Sequence, residues 1–427
     1  MSDFAIDIKS WSMRKAFKNC ALISVLFLTW SPSPLHGAAK PQIWIVSWAA
    51  SQQVPEPNNT LPSDDLREAT VRQIFHLSAG GSALRVHVSN AFGTTALHFS
   101  SVHIAHPLTP ASAAIDPATD KALTFAGSQD LTIPPGAEYI SDPVEYPVRA
   151  LSDLAVTFYL EVPPATQTGH PGSRATSYFA HGNLVSVADL PDAKHLDHWY
   201  QISAIDVVSA KGAASIVALG DSITDGHGAT SNGNDRWTDV LAGRLQTSRQ
   251  TRNIGVSNQG IGGNHLLTDG LGPNALARFD RDVLAQAGVH WLIVFEGVND
   301  LGGLARTGEV SQTEHTTRTR RVIAAYEQII DRAHAHGIRV IGATITPYVG
   351  SDYYHPGPLS EADRQAVDDW IRAPGHFDAV IDFDAVVRDP SQPDHLRPAY
   401  DCGDHLHPSP AGYKAMGESI PLTLFTR

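Results

Sequence analysis

The chain has 427 residues, 42% of them hydrophobic and 18% charged, with a formal net charge of −13. This composition is that of a globular protein, and the length predicts two or three domains. The acidic balance excludes a nucleic-acid partner or an anionic membrane surface, which both need a basic face. Two cysteines, Cys20 and Cys402, can supply neither a disulfide framework nor a four-thiolate metal site.

In chain order, Arg14, Lys15 and Lys18 precede the apolar run "ALISVLFLTW", and small residues follow through Ala39. Basic, apolar, then small is the layout of a secretory signal peptide, expected over residues 1–39, with Met13 a tidier start than Met1. The run is half of the ~20 residues that cross a bilayer. The protein is therefore expected to be secreted or periplasmic, with no membrane anchor after leader removal. Cys402 is then its single thiol, read as a buried small residue.

Residues 40–210 carry short strand patterns. In "SALRVHVSN", Leu84, Val86 and Val88 alternate with Arg85 and His87, the period-two mark of a strand. "TVRQIFHLS", "LHFSSVHIA", "KALTFAG" and "DLAVTFYLEV" read alike, separated by turn clusters such as "SAGGS" and "IPPGAE". No long helical pattern interrupts them. This predicts an antiparallel β-sandwich, jelly-roll-like. The stretch His198–Ser215 reads as a connector, apolar and aromatic before it turns small and polar. It is unlike a flexible Gly/Ser/Pro tether, so the two domains are expected to pack rigidly, the β domain forming one wall near Ser222.

Over residues 211–427 the pattern changes. "ASIVALG", "HWLIVFEG", "IRVIGATIT" and "FDAVIDF" are compact apolar runs suited to parallel strands covered on both faces. Between them, "RVIAAYEQIIDRAHAHG" places Val322, Ile323, Tyr326, Ile329, Ile330 and Ala333 at helical spacing, with Gly337 where a C-terminal cap belongs. Alternating strand and helix predicts a doubly wound α/β domain, whose ligands gather at the carboxyl ends of the strands.

Four polar segments fall at such ends or in loops. "GDSITDG" places Ser222 just past a strand; "NQGIGGNH" is a glycine-rich loop; "FEGVND" follows the strand "HWLIV"; and "DCGDHLHPSPAGY" holds Asp404 and His407 three residues apart. In the last, Ser409 can cap a helix and Pro410 can take its first turn. A serine hydroxyl attacks an ester poorly until a base removes its proton, and histidine is the usual base near neutral pH. An acid on the second ring nitrogen fixes that histidine's tautomer. The tetrahedral intermediate needs donors on its oxygen, each worth roughly 3–4 kcal/mol. The backbone N–H groups of Ser222 and Gly263 and the side-chain amide of Asn299 are the candidates.

Singly these motifs are weak; in this order they resemble the four blocks of the GDSL, or SGNH, hydrolases. "GDSITDG", "GIGGN", "GVND" and "DHLH" carry the resemblance. It implies Ser222 as nucleophile, Asp404 and His407 as the rest of the triad, and Gly263 and Asn299 as oxyanion donors. "NDRWTDVLAGRL", "WAAS" and "LRVHVSNAFG" extend it to a branch that resembles bacterial arylesterases and xylan-linked acylhydrolases with an N-terminal β domain. His265 stands where that pattern more often has Arg, which bears on substrate contacts.

The expected function is hydrolysis of carboxylic esters, short acyl groups such as acetyl in particular, on a small molecule or a polysaccharide, without metal or cofactor. His227, His265 and Asn90 are candidate substrate contacts; Asn90 reads equally as a turn former and Phe92 beside it as a core residue. Three alternatives compete. A Gly-x-Ser-x-Gly elbow finds only "ATSNG" around Ser231, without its first glycine. A metal site would draw on Asp401, Asp404, His405 and His407, but no second His-rich loop accompanies them. A carbohydrate-binding module on an inactive scaffold would bind polysaccharide without turnover.

Overall fold

The computed structural model describes residues 42–426, and the chain from Gln42 onward forms one compact unit. The expected leader lies outside the described residues. No helix among those residues is long and apolar enough to cross a membrane.

The N-terminal half consists of antiparallel sheets. One runs in the order Ile43–Ala49, Ile202–Ser209, Gly81–Ser89, Glu138–Ile140, with Val144–Val148 also paired to Gly81–Ser89. The other runs Lys194–Leu196, Ser177–His181, Ala69–Leu77, Ser152–Leu160, Ser101–Ala105, Lys121–Ala122. Leu84, Val86 and Val88 of the first sheet share one core with Val71, Phe75, Leu154, Val156 and Phe158 of the second. Two sheets that bury one face each against the other make a two-layer packing.

Three local expectations are corrected here. "LHFSSVHIA" breaks at Ser100 into strands Leu97–Phe99 and Ser101–Ala105, which belong to different sheets. The supposed connector His198–Ser215 contains a central strand, Ile202–Ser209, hydrogen-bonded on both sides, so its apolar residues are core. The polar face of "SALRVHVSN" does not meet water freely. Arg85 Nε donates to Asp206 at 2.8 Å, and His87, buried, lies between Asp206 and Glu138 at 3.0 and 2.9 Å.

The C-terminal half has a parallel sheet in the order Ile254–Gly260, Ala214–Gly220, Val289–Phe295, Arg339–Ala343, Ala379–Ile381. Ile216, Val217, Ala218 and Leu219 are all fully buried in succession, as a strand covered on both faces requires. The longest helix, Gln312–Ala335, starts with a capping box between Ser311 and Glu314, and Gly337 follows its end at φ +71°. Ser409 accepts from the Gly412 N–H to cap helix Pro410–Ser419.

One strand is absent from the apolar reading. Ile254–Gly260 spells "IGVSNQG", and its polar residues resemble a loop. Asn258, half-buried, is fully partnered: its Nδ2 donates to Thr224 O and Thr238 Oγ1, and its Oδ1 accepts from Gly260 N–H, while Gln259 Nε2 donates to Ser257 Oγ. From the Ala214–Gly220 strand the chain runs outward to this edge and then back to Val289–Phe295 on the other side. The strand Ala214–Gly220 therefore ends at the topological switch point, where open α/β sheets bind ligands.

Candidate active site

Gly220, Gly260 and Phe295 stand side by side in register at the sheet's carboxyl edge. Ser222, Gly263 and Asn299 follow them after two, three and four residues. Only glycine fits at 220, since a Cβ there would lie 2.4 Å from Phe295 O. Asp221 then caps the short helix Ser222–Asp225 by accepting from Ile223 N–H at 2.9 Å, and Gly226 closes it at φ +102°. Burial pushes the Asp221 carboxyl up to about 7, against the opposing pull of that hydrogen bond.

His407 Nε2 lies 2.8 Å from Ser222 Oγ, and His407 Nδ1 lies 2.6 Å from Asp404 Oδ2. A carboxylate only accepts, so the proton sits on Nδ1 and Nε2 is free to accept from the serine hydroxyl. The turn that presents this pair is built by aspartates: Asp401 Oδ1 accepts from the N–H groups of Gly403 and His405, and Asp404 Oδ1 from those of Leu406 and His407. Burial alone would raise the Asp404 carboxyl. The hydrogen bond and charge of His407, with those two backbone donors, outweigh it and hold Asp404 well below the usual carboxylate range. Ser222 is 7% exposed and His407 9%, so the proton path is shielded yet reachable.

Asn299 is buried on the helix Val298–Gly302. Its Nδ2 donates one hydrogen to Asn264 O at 2.6 Å, and its Oδ1 accepts from Tyr354 OH. The second amide hydrogen remains. Gly263, next to Asn264, has φ +67°, a conformation that turns its peptide and favours glycine. The N–H of Ser222 opens a helix and has no partner within it.

His227 is brought to the site. Its ring lies 4.0 Å from that of His407, and its Nε2 is 3.8 Å from Asp404 Oδ2. Arg174, from the antiparallel half, donates to His227 Nδ1 at 3.2 Å and to Gly226 O at 3.2 Å. Burial, then the neighbouring His407 and Arg174, lower the His227 imidazole to about 4, so it is neutral at physiological pH. His265 packs against Gly270 and Gly303. Of the two readings of Asn90 the turn former fits: it is 1% exposed, and its Nδ2 is spent on the carbonyls of Thr95, Ile133 and Pro134, so it organises a turn. Phe92 is half-buried with the Arg281 guanidinium 5.3 Å over its ring. Cys402 is exposed, where a buried residue was expected; partial desolvation by its neighbours and the nearby Asp404 carboxylate raise the thiol to about 11.

Among the described residues, two sets offer metal-ligand atoms within 4.8 Å of one another: His227, Asp404 and His407, and Asp401, Cys402 and Asp404. In the first, His407 is already engaged with both Ser222 and Asp404. Three residues here escape sequence reasoning. Tyr354 and Arg174 come from loops with no motif around them. Arg278, in "ALARF", is a basic residue inside a short helix, yet it is fully buried and bonded to Gly220 O, two residues before Ser222.

Comparison with solved structures finds chains that each overlap about half of this one. A GDSL-like lipase from Bacteroides thetaiotaomicron is 18% identical, covers 51% of this chain and 90% of its own, and has a TM-score of 0.37. An acetyl xylan esterase from Geobacillus stearothermophilus is 23% identical, with coverages of 48% and 92% and a TM-score of 0.36. A structure assigned as a lipolytic protein of the G-D-S-L family from Desulfitobacterium hafniense is 24% identical, with coverages of 48% and 97% and a TM-score of 0.35. No curated protein matches. The family model that matches is that of the GDSL-like lipase/acylhydrolases, over residues 218–415, which span the Ser222 turn, the glycine loop, the Asn299 turn and the Asp404–His407 segment. The α/β half of this chain is thus a GDSL-like lipase/acylhydrolase domain.

Proposed function

We propose that this hydrolase is a serine esterase that cleaves short-chain acyl esters of a carbohydrate or aryl alcohol, exported from the cell that makes it. The observation that carries the reading is the continuous chain Ser222 Oγ–His407 Nε2–His407 Nδ1–Asp404 Oδ2, at 2.8 and 2.6 Å. As Ser222 Oγ bonds to the ester carbon, its proton passes to His407 Nε2, and Asp404 stabilises the imidazolium. Negative charge moves to the carbonyl oxygen, where the N–H groups of Ser222 and Gly263 and the remaining amide hydrogen of Asn299 receive it. When the C–O bond to the alcohol breaks, His407 returns the proton to the departing oxygen. Water then repeats the sequence on the acyl-serine, giving up a proton to His407, and releases the acid and Ser222. The half-exposed His227, 3.8 Å from Asp404 and bonded to Arg174 of the antiparallel half, supports a substrate site to which both halves contribute.

Turnover of chromogenic acetyl esters of increasing acyl length, beside acetylated oligosaccharides, tests the reading. Ser222→Ala should lower kcat by about 10⁶-fold while its unfolding midpoint stays near wild type. Retention of more than a few per cent of turnover removes Ser222 as nucleophile. Tight binding to insoluble polysaccharide with no turnover of any ester would make the protein a binding module instead.

A further inference from the structure

We infer that Tyr354 is a positioning residue of the oxyanion site: its hydroxyl fixes the Asn299 amide so that the one uncommitted amide hydrogen faces the developing oxyanion. The inference rests on the assignment of Asn299 as an oxyanion donor. A primary amide has two donors and an acceptor in one plane, so two fixed partners determine the direction of the third group. Asn299 has two such partners, Asn264 O against Nδ2 and the Tyr354 hydroxyl against Oδ1. The flipped amide would set Oδ1 against the Asn264 carbonyl, two acceptors facing each other in a buried site, and would force Tyr354 to accept. The Tyr354 hydroxyl also polarises the amide it donates to, which strengthens the remaining N–H as a donor.

The geometry around Tyr354 is that of a held side chain. It is 4% exposed, and its ring lies so close to Gly302 that a Cβ there would be 2.6 Å from Tyr354 Cγ. Tyr353 packs edge-on at 4.7 Å and Tyr348 at 6.1 Å. Tyr353 is in turn capped by the Arg306 guanidinium at 3.9 Å. Gly302 lies on the same short helix as Asn299, so ring and amide are fixed to one element. No other hydroxyl reaches Asn299 Oδ1 among the described residues, and Tyr354 has no bond to the Ser222–His407–Asp404 chain.

Tyr354→Phe removes one oxygen and keeps the ring that fills the site. Steady-state kinetics on a chromogenic acetyl ester, with active sites counted by a serine-reactive fluorophosphonate so that misfolded protein is not scored, should give a kcat about tenfold below wild type and a KM within about twofold. That is smaller than the ~10²-fold loss expected for Asn299→Ala, because Asn264 O still restrains the amide. The decisive arm is the double variant. In an Asn299→Ala background, Tyr354→Phe should change kcat by less than about twofold, since the group it positions is gone. An equal loss in both backgrounds makes Tyr354 merely structural and overturns the inference, as does a Tyr354→Phe kcat within about twofold of wild type when Asn299→Ala is slow. If Asn299→Ala itself keeps wild-type kcat, the oxyanion assignment falls and the inference with it.

Discussion

Arg278 is the test of how far the site depends on what lies behind it. Its side chain has no exposure, and its donors fan out to five acceptor groups. Nε and Nη2 reach Asn264 Oδ1 at 3.0 and 2.9 Å, and Nη2 also reaches Gly220 O at 3.0 Å. Nη1 reaches Gln259 O at 2.6 Å, Asp282 Oδ2 at 3.0 Å and Ser51 Oγ at 3.3 Å. One guanidinium thus ties together the end of the strand before Ser222, the end of the edge strand, the Gly263–Asn264 loop and the antiparallel half. Arg278→Met keeps most of the volume and removes every donor. Breaking a buried pair from one side costs about 3–5 kcal/mol. The lower end applies, since Asp282 keeps Arg281 at 2.6 Å. Loss of both donors to Asn264 Oδ1 adds about 1 kcal/mol. The expected destabilisation is therefore about 4 kcal/mol, read from urea midpoints at unchanged slope. Because Gly220 leads to Ser222 and Asn264 holds Asn299, a displacement of about 1 Å should also lower kcat by ~10²-fold. Arg278→Lys restores the charge beside Asp282 but not the fork, so stability should recover more than kcat. A methionine variant within about 1 kcal/mol and twofold in kcat of wild type would falsify the idea that this hub positions the site.

Two further outcomes follow from other residues. His87 donates to Asp206 and Glu138 at once; burial opposes its charge, but those hydrogen bonds outweigh it and lift the imidazole to about 9. A folded value above the ordinary one stabilises fully below pH ~6.5 and fades as pH rises through about 9, so urea titrations should show wild type about 3 kcal/mol more stable than His87→Gln near pH 6 and little different near pH 10; a constant gap contradicts this. The fragment from Lys211 onward should be insoluble or inactive on every ester, and a soluble fragment with full kcat would make the antiparallel half a separable appendage.

The parts of the site legible in the sequence are those where local chemistry and local structure coincide. Ser222 is announced by an apolar strand that ends in Gly220 and Asp221, and the cap at Asp221 is a short-range effect. Asp404 and His407 are three residues apart, so their pairing needs only a turn. What escaped was long-range or masked. The edge strand Ile254–Gly260 hides behind Ser257, Asn258 and Gln259; Asn258 is held by Thr224 and Thr238 far along the chain, and Gln259 Nε2 donates to Ser257. Asn90 read equally as a binding residue and a turn former, because an exposed amide and a turn-forming amide have the same one-letter context; its three carbonyl partners favour the turn. Tyr354 meets Asn299 across 55 positions, and Arg174 meets His227 across 53. No periodicity encodes such contacts.

The covered edge also explains why the two halves act as one body. An unpaired parallel edge strand exposes backbone groups that must be satisfied or shielded. Here Ser78 Oγ accepts from Val256 N–H at 2.8 Å and donates to Val256 O at 3.1 Å, while Val46 comes so near that a Cβ on Gly255 would be 2.1 Å from its carbonyl oxygen. Val46 N–H in turn donates to Ala287 O at 3.0 Å, ahead of the strand that leads to Asn299. Closer to the chemistry, His170 bridges Ser51 O and the buried carboxylate of Asp225, the last residue of the nucleophile helix, both at 2.8 Å. Asp282 is likewise bonded by Ser51. Separating the halves would leave Asp225 without its imidazole and take from Asp282 the Ser51 hydroxyl, though Arg278 and Arg281 would still hold it. A hinge between them would have to break these bonds at every opening. Relative motion of the halves is therefore a local unfolding event rather than a gating step.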